Sequence, residues 1–344
     1  MTRYARSIRR SVKLGVFGLA CLCPTPGPAA ESTALQTENA AMLREIEAVH
    51  GPDPAQMDAL RGIISQGEFI GQGNPAIAEH PMTLEQCRAG LAAASVSYDN
   101  PEYVRICGGR YMAPLYDPSR EGPDDAKSCI DQFEFPNIPC AYPVVWVRAR
   151  EAAAICTAMG KRLCDAHEWE GACAGRLEPP DYRFDLAAGQ TASSAVSRMR
   201  SAHNRARGAS RRWAYGPAYE KGKCAAASRK SPGCDGGGWS RCGSNTYPAG
   251  AFPACRSKLD VFDQHGNAAE HMNLPLSPEQ MASTGSRDLG HTEMKGSWFI
   301  FDRYYAHQDW CRWRAPYWHG GRVMDGHSHH NYHLGFRCCK TLAD

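Results

Sequence analysis

The sequence predicts an irregular α+β fold in which short strands are joined by long loops and held by disulfides. Three observations lead to this fold class. The 344 residues include 33 glycines and 23 prolines, and from about residue 102 these concentrate in runs such as KSPGCDGGGWSRCGSN. Such runs interrupt helices and strands. Helical periodicity is strong in only a few segments, and the chain carries 16 cysteines.

Residues 1–30 are predicted to be a secretory signal peptide. A basic start is followed by the short apolar stretch LGVFGLACLC and by PTPGPAA, which ends in small residues at Ala30. The apolar stretch is too short to cross a bilayer, and no later segment is apolar enough to be a transmembrane segment. We therefore expect an exported protein, either periplasmic or extracellular.

The charge of the chain argues against a nucleic-acid partner. The formal net charge is +3, and removal of the five basic residues of the leader leaves about −2. Binding to nucleic acid through counterion release needs a strongly basic stripe, and none is visible.

The cysteines indicate disulfides. Two of the 16 cysteines lie in the leader, which leaves an even number, 14, in an exported chain. A dense, even set of cysteines in an oxidising compartment is typical of a disulfide framework. Zinc binding is the alternative, but the mature chain contains no CxxC motif.

Residues 31–95 are predicted to form a helical N-terminal extension. TENAAMLREIEAVHG and DPAQMDALRGIISQG carry apolar residues at helical spacing and each ends in glycine, and EHPMTLEQCRAGLAAA is a candidate third helix. The extension is either a cap on the main domain or a docking arm. The main domain is assigned to residues 96–344.

One segment of the main domain has a clear local structure. Residues 148–175 begin with an alanine-rich helix that is expected to end near Gly160. A second helix is expected to start at Asp165, whose carboxylate would accept the amide of Glu168 while Glu168 reaches back, as in a capping box. Leu163, Trp169 and Ala172 should then face the core.

This segment and five others resemble the formylglycine-generating enzymes, also called sulfatase-modifying factors. The similar stretches occur in family order, over about residues 102–340: RICGGRYMA, CIDQFEFPN with YPVVWVRAREAAAIC, GKRLCDAHEWEGAC, DVFDQHGNAAEH, MKGSW and LGFRCC. The resemblance implies the irregular formylglycine-generating-enzyme fold, which is related to the C-type lectin fold.

The family oxidises a cysteine of an unfolded sulfatase segment to formylglycine, with oxygen and with copper held by two cysteines shortly after a GGS motif. Soft Cu(I) selects thiolates. Here WFIFDRYYAHQDW follows Ser297 and contains no cysteine. The copper positions fall near Ile300 or Phe301 and near Tyr305 or Ala306, so copper is not expected at the family site. Cys311 matches a third, structural cysteine of the family.

The resemblance also implies disulfides. Cys156 would pair with Cys338, Cys173 with Cys311, and the additional Cys164 and Cys339 with each other. Eight cysteines are left without assigned partners: Cys87, Cys107, Cys129, Cys140, Cys224, Cys234, Cys242 and Cys255.

The turn DQHGNAAE is a candidate calcium site. Family members bind calcium at matching positions, which implies Asp263, the carbonyls of Gly266 and Ala268, and Glu270 as ligands. Calcium takes six to eight oxygen ligands in a flexible loop. We expect a bound calcium ion to have a structural role. The alternative is a solvated turn without a metal ion.

Histidines near the C-terminus form a second, weaker metal candidate. HSHHNYH contains His327, His329, His330 and His333, and dense imidazoles are suited to Zn, Cu or Fe. Their spacing matches no defined metal motif, so exposed loop histidines are the alternative interpretation.

An aromatic binding groove is expected close to Cys311. Aromatic rings beside Arg and His suit a peptide or a sugar, through stacking and hydrogen bonds. The residues assigned to this groove are Tyr304, Tyr305, Trp310, Arg314, Tyr317, Trp318 and His319. Ser297 occupies the position of the family's active-site serine, and with His319 it is the candidate catalytic residue.

Two functions follow from these observations. The first is an exported binding module that lacks the copper chemistry and holds a peptide, glycan or protein partner in the groove. The second is a divergent metal-dependent oxidase that acts on a peptide or a peptide-derived metabolite, with the metal held by His319 and the histidines of 327–333. Formylglycine formation itself ranks third.

Overall fold

The computed structural model describes residues 28–302, 308–315 and 321–342, with side chains from Thr33 onward. Its helices are α1 (Pro28–His50), α2 (Pro54–Gln66), α3 (Leu84–Ala93), α4 (Pro101–Cys107), α5 (Ala149–Ala158), α6 (Ala166–Ala174) and α7 (Ala192–Arg207). Its strands are β1 (Met112–Leu115), β2 (Ser128–Asp131), β3 (Arg162–Leu163), β4 (Ala269–Leu274), β5 (His291–Lys295), β6 (Leu334–Phe336) and β7 (Cys338–Thr341). None of the described helices has the length and apolarity to span a bilayer.

The strands form two small sheets, as expected for a loop-rich α+β fold. One sheet has the order β1-β2-β7-β3 and is antiparallel. The other has the order β5-β4-β6, with β4 antiparallel to β5 and parallel to β6. Because β6 and β7 are separated only by Arg337, that residue lies where the two sheets meet.

The N-terminal helices pack onto the main domain. Asp53 caps α2 through its side chain, and Gln56 completes a capping box. Met57 and Leu60 of α2 are buried in the same hydrophobic cluster as Ile155 of α5. The extension was predicted to be either a cap or a docking arm. The described helices pack on the core of the main domain, as a cap would.

The family-like stretch RICGGRYMA, which starts at Arg105, contains the end of a helix and the start of a strand. Arg105 and Cys107 belong to α4 rather than to a strand, and β1 starts only at Met112. The cause is local: Asn100 accepts the amide protons of residues 102 and 103 and Pro101 occupies the first helical position. Both features favour a helix start over a strand.

Helices α5 and α6 lie where they were predicted, but only half of the capping box forms. Glu168 accepts the amide proton of Asp165 at 2.9 Å, as expected. The carboxylate of Asp165 does not return this bond. It accepts instead from Asn273 at 2.6 Å and from the amide and hydroxyl of Ser283 at 2.8 and 2.6 Å. Asp165 thus ties a distant loop to the start of α6, while Leu163, Trp169 and Ala172 are buried in the core as predicted.

Seven disulfides use all 14 cysteines of the described residues. Three are those that the resemblance implied: Cys156–Cys338, Cys164–Cys339 and Cys173–Cys311. The other eight cysteines pair as Cys87–Cys140, Cys107–Cys129, Cys224–Cys255 and Cys234–Cys242. These pairs leave no cysteine of the described chain free for zinc.

Candidate functional site

Ser297, the position-matched serine, is held by two hydrogen bonds. It follows β5 after Gly296, whose φ of +73° turns the chain in a conformation that favours glycine. Its hydroxyl donates to Asp309 Oδ2 at 2.9 Å and accepts the amide proton of Gly266 at 3.0 Å. Among the described residues its hydroxyl makes no hydrogen bond to a histidine, the base that commonly activates a serine nucleophile.

His265 lies behind this serine and completes a buried cluster. Its Nε2 accepts the amide proton of Ala214 at 3.0 Å, which places the ring proton on Nδ1. Nδ1 is 3.7 Å from Asp309 Oδ2, and the other Asp309 oxygen accepts from the indole of Trp213 at 2.9 Å. Burial favours the neutral acid, but the nearby His265 ring and the hydrogen bonds from Trp213 and Ser297 outweigh it and lower the pKa of Asp309.

The space beside this cluster is small. The cavity lined by Tyr215, His265, Ser297 and Asp309 has a volume of about 10 Å³. About 10–15 Å³ is needed to hold one water molecule. The described residues therefore leave room for a single water next to Ser297.

The same residues do not fit a cuprous ion. The family chemistry needs two thiolates, but Cys311 is bonded to Cys173, and Cys224, which lines the cavity beside Ser297, is bonded to Cys255. His265 Nε2 is 3.3 Å from Cys173 Sγ, but both sulfurs of that pair are oxidised, and a disulfide sulfur is not a thiolate ligand. Ile300 and Phe301, at one predicted copper position, offer no soft ligand. The second position falls on residues outside the described chain.

The predicted calcium loop is buried and rich in carboxylates. Asp263 Oδ2 accepts the amide proton of Gly250 at 2.6 Å, and its Oδ1 has no hydrogen-bond partner among the described residues. Glu270 is not free, because both its oxygens accept from Arg337, at 2.6 and 2.9 Å. Glu134, which the sequence did not nominate, accepts the Ala268 amide proton at 3.0 Å.

Three buried carboxylates thus face one guanidinium in this loop. Burial, reinforced by the negative charge of Glu270, raises the pKa of Asp263 to about 7. Burial and the charges of Asp263 and Glu270 also raise the pKa of Glu134 well above its usual range. The loop therefore holds more acidic groups than Arg337 alone can keep ionised, and the neutral acids are favoured unless a further cation is present.

The C-terminal histidines do not assemble into a metal site. His327 and His329 are exposed. His330 Nε2 lies 3.2 Å from the Arg148 guanidinium, and His333 is buried with its ring stacked on Trp298 at 4.0 Å. In the described ranges, two groups of three potential ligands converge, namely Cys173–His265–Cys311 and Glu170–Asp181–His203, and neither includes these histidines.

The predicted groove is only partly described. Tyr304, Tyr305, Tyr317, Trp318 and His319 lie outside the described residues. The assignment of Arg314 to the groove wall is wrong: its side chain is fully buried and donates to Glu170 at 2.9 Å and to Asp181 at 3.0 Å. A desolvated guanidinium needs such partners, and the sequence did not show that they converge here.

Trp310 is also mostly buried, with 3 % of its surface exposed, but it borders a larger cavity that sequence reasoning missed. This cavity has a volume of about 120 Å³ and is lined by Arg176, Arg207, Arg212 and Arg312 together with Trp310. The arginines come from three separate stretches of the chain, because Arg207 and Arg212 are only five residues apart. The nearest sequence signal is the basic segment RARGASRR at 205–212.

Comparisons with known proteins agree with this architecture. A family model described as the sulfatase-modifying factor enzyme 1-like domain matches residues 76–342. No curated protein matches the chain. One similar solved structure, titled "Crystal Structure of CarF", is 14 % identical, covers 76 % of this chain and 84 % of its own, and has a TM-score of 0.28. Because the family model covers most of the chain, this protein belongs to the sulfatase-modifying factor family and has its C-type-lectin-related fold.

Proposed function

We propose that this protein is an exported binding member of the family that lacks copper-dependent formylglycine formation. The observation that carries the proposal is the state of Cys311, which is bonded to Cys173 in a chain whose 14 described cysteines are all paired. Cu(I) chemistry of the family type requires a thiolate pair. A peptide, glycan or protein is the partner class that the sequence favours.

The surroundings of Ser297 support binding over catalysis. Its hydroxyl is engaged by Asp309 and Gly266, and the adjacent cavity has a volume of only about 10 Å³. A reacting peptide cysteine needs space next to the activating group. The described lining of the larger cavity, bordered by Trp310, is dominated by arginines, which suit binding of an anionic group.

The test is an oxidation assay on the purified mature protein. The protein is loaded with Cu(I) and incubated with oxygen and a sulfatase-type peptide, beside a catalytically active family member as the positive control. We expect no aldehyde product above background. Copper-dependent conversion of the peptide would overturn the proposal.

Elemental analysis after mild dialysis distinguishes the binding protein from the alternative, a metal-dependent oxidase. We expect no stoichiometric copper or iron. Retention of either metal, abolished by replacing histidines of the 327–333 segment, would favour the metal-dependent oxidase. Variants that keep the metal would assign it to other residues.

We also propose that the loop of Asp263, Gly266, Ala268 and Glu270 takes calcium in a structural role. The unpartnered Oδ1 of Asp263 and the excess of carboxylates over Arg337 support a cation here. Calcium in place of EGTA is expected to raise the Tm of the wild type, and Asp263→Asn is expected to remove this rise. Equal Tm values in calcium and EGTA would refute the site.

A further inference from the structure

The arginine-lined cavity next to Trp310 has an unusual balance of charge. Arg176, Arg207, Arg212 and Arg312 line it, and Glu178 is the one acidic residue among its described lining. Four neighbouring guanidinium groups repel one another unless anions are present, and the repulsion is strongest between the more buried of them.

Glu178 is shared among three of these arginines. It lies 2.7 Å from Arg176, 2.7 Å from Arg207 and 3.5 Å from Arg312. Arg207 has a second partner in Asp181 at 2.9 Å, but Asp181 also pairs with the buried Arg314 at 3.0 Å. One carboxylate cannot neutralise three cations, so the cavity keeps a positive excess.

Arg212 is the arginine without an acidic partner. Among the described residues its side chain forms no ion pair, and its Nε is buried without a hydrogen-bond partner. A buried, unsatisfied N–H of a charged group is costly unless something accepts its proton. This atom therefore points to an acceptor that the described residues do not supply.

The position of Arg212 is fixed by its backbone and by its neighbour. Its carbonyl accepts the amide proton of Cys311 at 2.9 Å, next to the Cys173–Cys311 disulfide. The following residue, Trp213, donates to the buried Asp309 at 2.9 Å. These anchors fix the backbone from which the Arg212 side chain reaches the cavity, so no backbone ordering is needed on binding.

We propose that this cavity is a binding site for an oxyanion group, carboxylate, phosphate or sulfate, carried by a small ligand. Guanidinium forks match the paired oxygens of such groups, and Trp310 supplies an apolar wall. The cavity volume of about 120 Å³ accommodates an anion of this size. This site deepens the proposed binding function, because it names the chemical class of the ligand. It rests on that function only in that both assume that the protein binds a ligand.

The desolvated positive charge of Arg312, which also lines the cavity, supports an anion site. Burial is the largest influence on Arg312 and lowers its pKa, and the carboxylates of Glu170 and Glu178 only partly offset it. Arg312 is 8 % exposed, so its positive charge is desolvated. An anion in the cavity would stabilise that charge.

The experiment measures anion binding by calorimetry and by thermal unfolding. Sodium phosphate, sodium sulfate and sodium acetate are compared with sodium chloride at matched ionic strength. The variants are Arg212→Gln, Arg212→Lys and the control Arg229→Gln. Arg229 is exposed, pairs with Glu79 and does not line the cavity.

We expect at least one of the three oxyanions to bind the wild type and the Arg229→Gln variant equally. Loss of a charge-assisted hydrogen bond should weaken binding to Arg212→Gln about tenfold, with Arg212→Lys intermediate because it keeps the charge but loses the fork. Sulfate and phosphate also stabilise proteins by exclusion from the surface, but that effect is common to all variants.

Two results would overturn the inference: no oxyanion binding to the wild type, or equal anion effects in wild type and Arg212→Gln. Circular dichroism of the variants shows that each is folded. The oxidation assay and the anion-binding experiment can fail independently. A protein with copper-dependent activity could still bind an anion in this cavity, and a protein without that activity could fail to bind one.

Discussion

Removal of the Cys173–Cys311 disulfide tests whether long-range crosslinks dominate the stability of this loop-rich fold. The perturbation is the pair Cys173→Ala and Cys311→Ala, and the matched control is Cys164→Ala with Cys339→Ala. All four cysteines are completely buried, so the loss of packing is similar in the two variants. The two bonds span 138 and 175 residues of sequence.

The expected free energies follow from the loops that remain when the other bonds stay intact. In the chain-entropy picture an isolated loop of 138 residues would be worth about 5 kcal/mol. With Cys164–Cys339 present, however, Cys173–Cys311 closes an effective loop of about 37 residues, worth about 3.8 kcal/mol. Cys164–Cys339 lies beside Cys156–Cys338 and closes only about 10 residues, worth about 2.7 kcal/mol.

The measurement is urea unfolding of the wild type and of the two variants at the same pH. We expect the free energy of unfolding to fall by about 4 kcal/mol without Cys173–Cys311 and by about 3 kcal/mol without Cys164–Cys339. The bond with the longer sequence separation is thus predicted to matter less. If loss of Cys164–Cys339 costs as much or more, the effective-loop argument is wrong.

Three further predictions concern the buried polar groups. Glu170→Gln should lower the free energy of unfolding by about 3–5 kcal/mol, because Lys295 at 2.6 Å and Arg314 at 2.9 Å lose their buried anion. The control is Glu47→Gln, at an exposed ion pair, which should have little effect in the same urea titration. Burial opposes ionisation of Glu170, but the charges of Arg314 and Lys295 outweigh this effect and lower the pKa of Glu170. The contribution of Glu170 to the free energy of unfolding is therefore fully present above the pKa of about 4.3 that a glutamate has in the unfolded chain. This contribution is lost as the pH falls below that value. Acid titration of stability should therefore be shallower in Glu170→Gln than in wild type, and parallel curves would contradict this assignment. Ser297→Ala should cost about 1–3 kcal/mol by leaving the Gly266 amide and Asp309 short of a partner. Thermal unfolding of this variant beside Ser197→Ala, an exposed serine of α7, checks the value.

Several features of this protein were determined by the sequence itself. The even set of cysteines predicted a disulfide framework, and the described chain pairs all of them. Helices α2, α5 and α6 were predictable because their caps and apolar spacing act within a few residues. The family-like stretches predicted the fold, which the family match shows.

Only the tertiary structure decided which distant groups meet. Asp165 was expected to cap its own helix, but a loop more than 100 residues away takes its carboxylate. Arg314 was expected at a groove wall and is instead buried against Glu170 and Asp181. The arginines of the Trp310 cavity come from separate stretches, and no local pattern joins them. Capping and helical periodicity depend on neighbours in sequence, whereas the desolvation and pairing of charges depend on chain segments that only the folded core brings together.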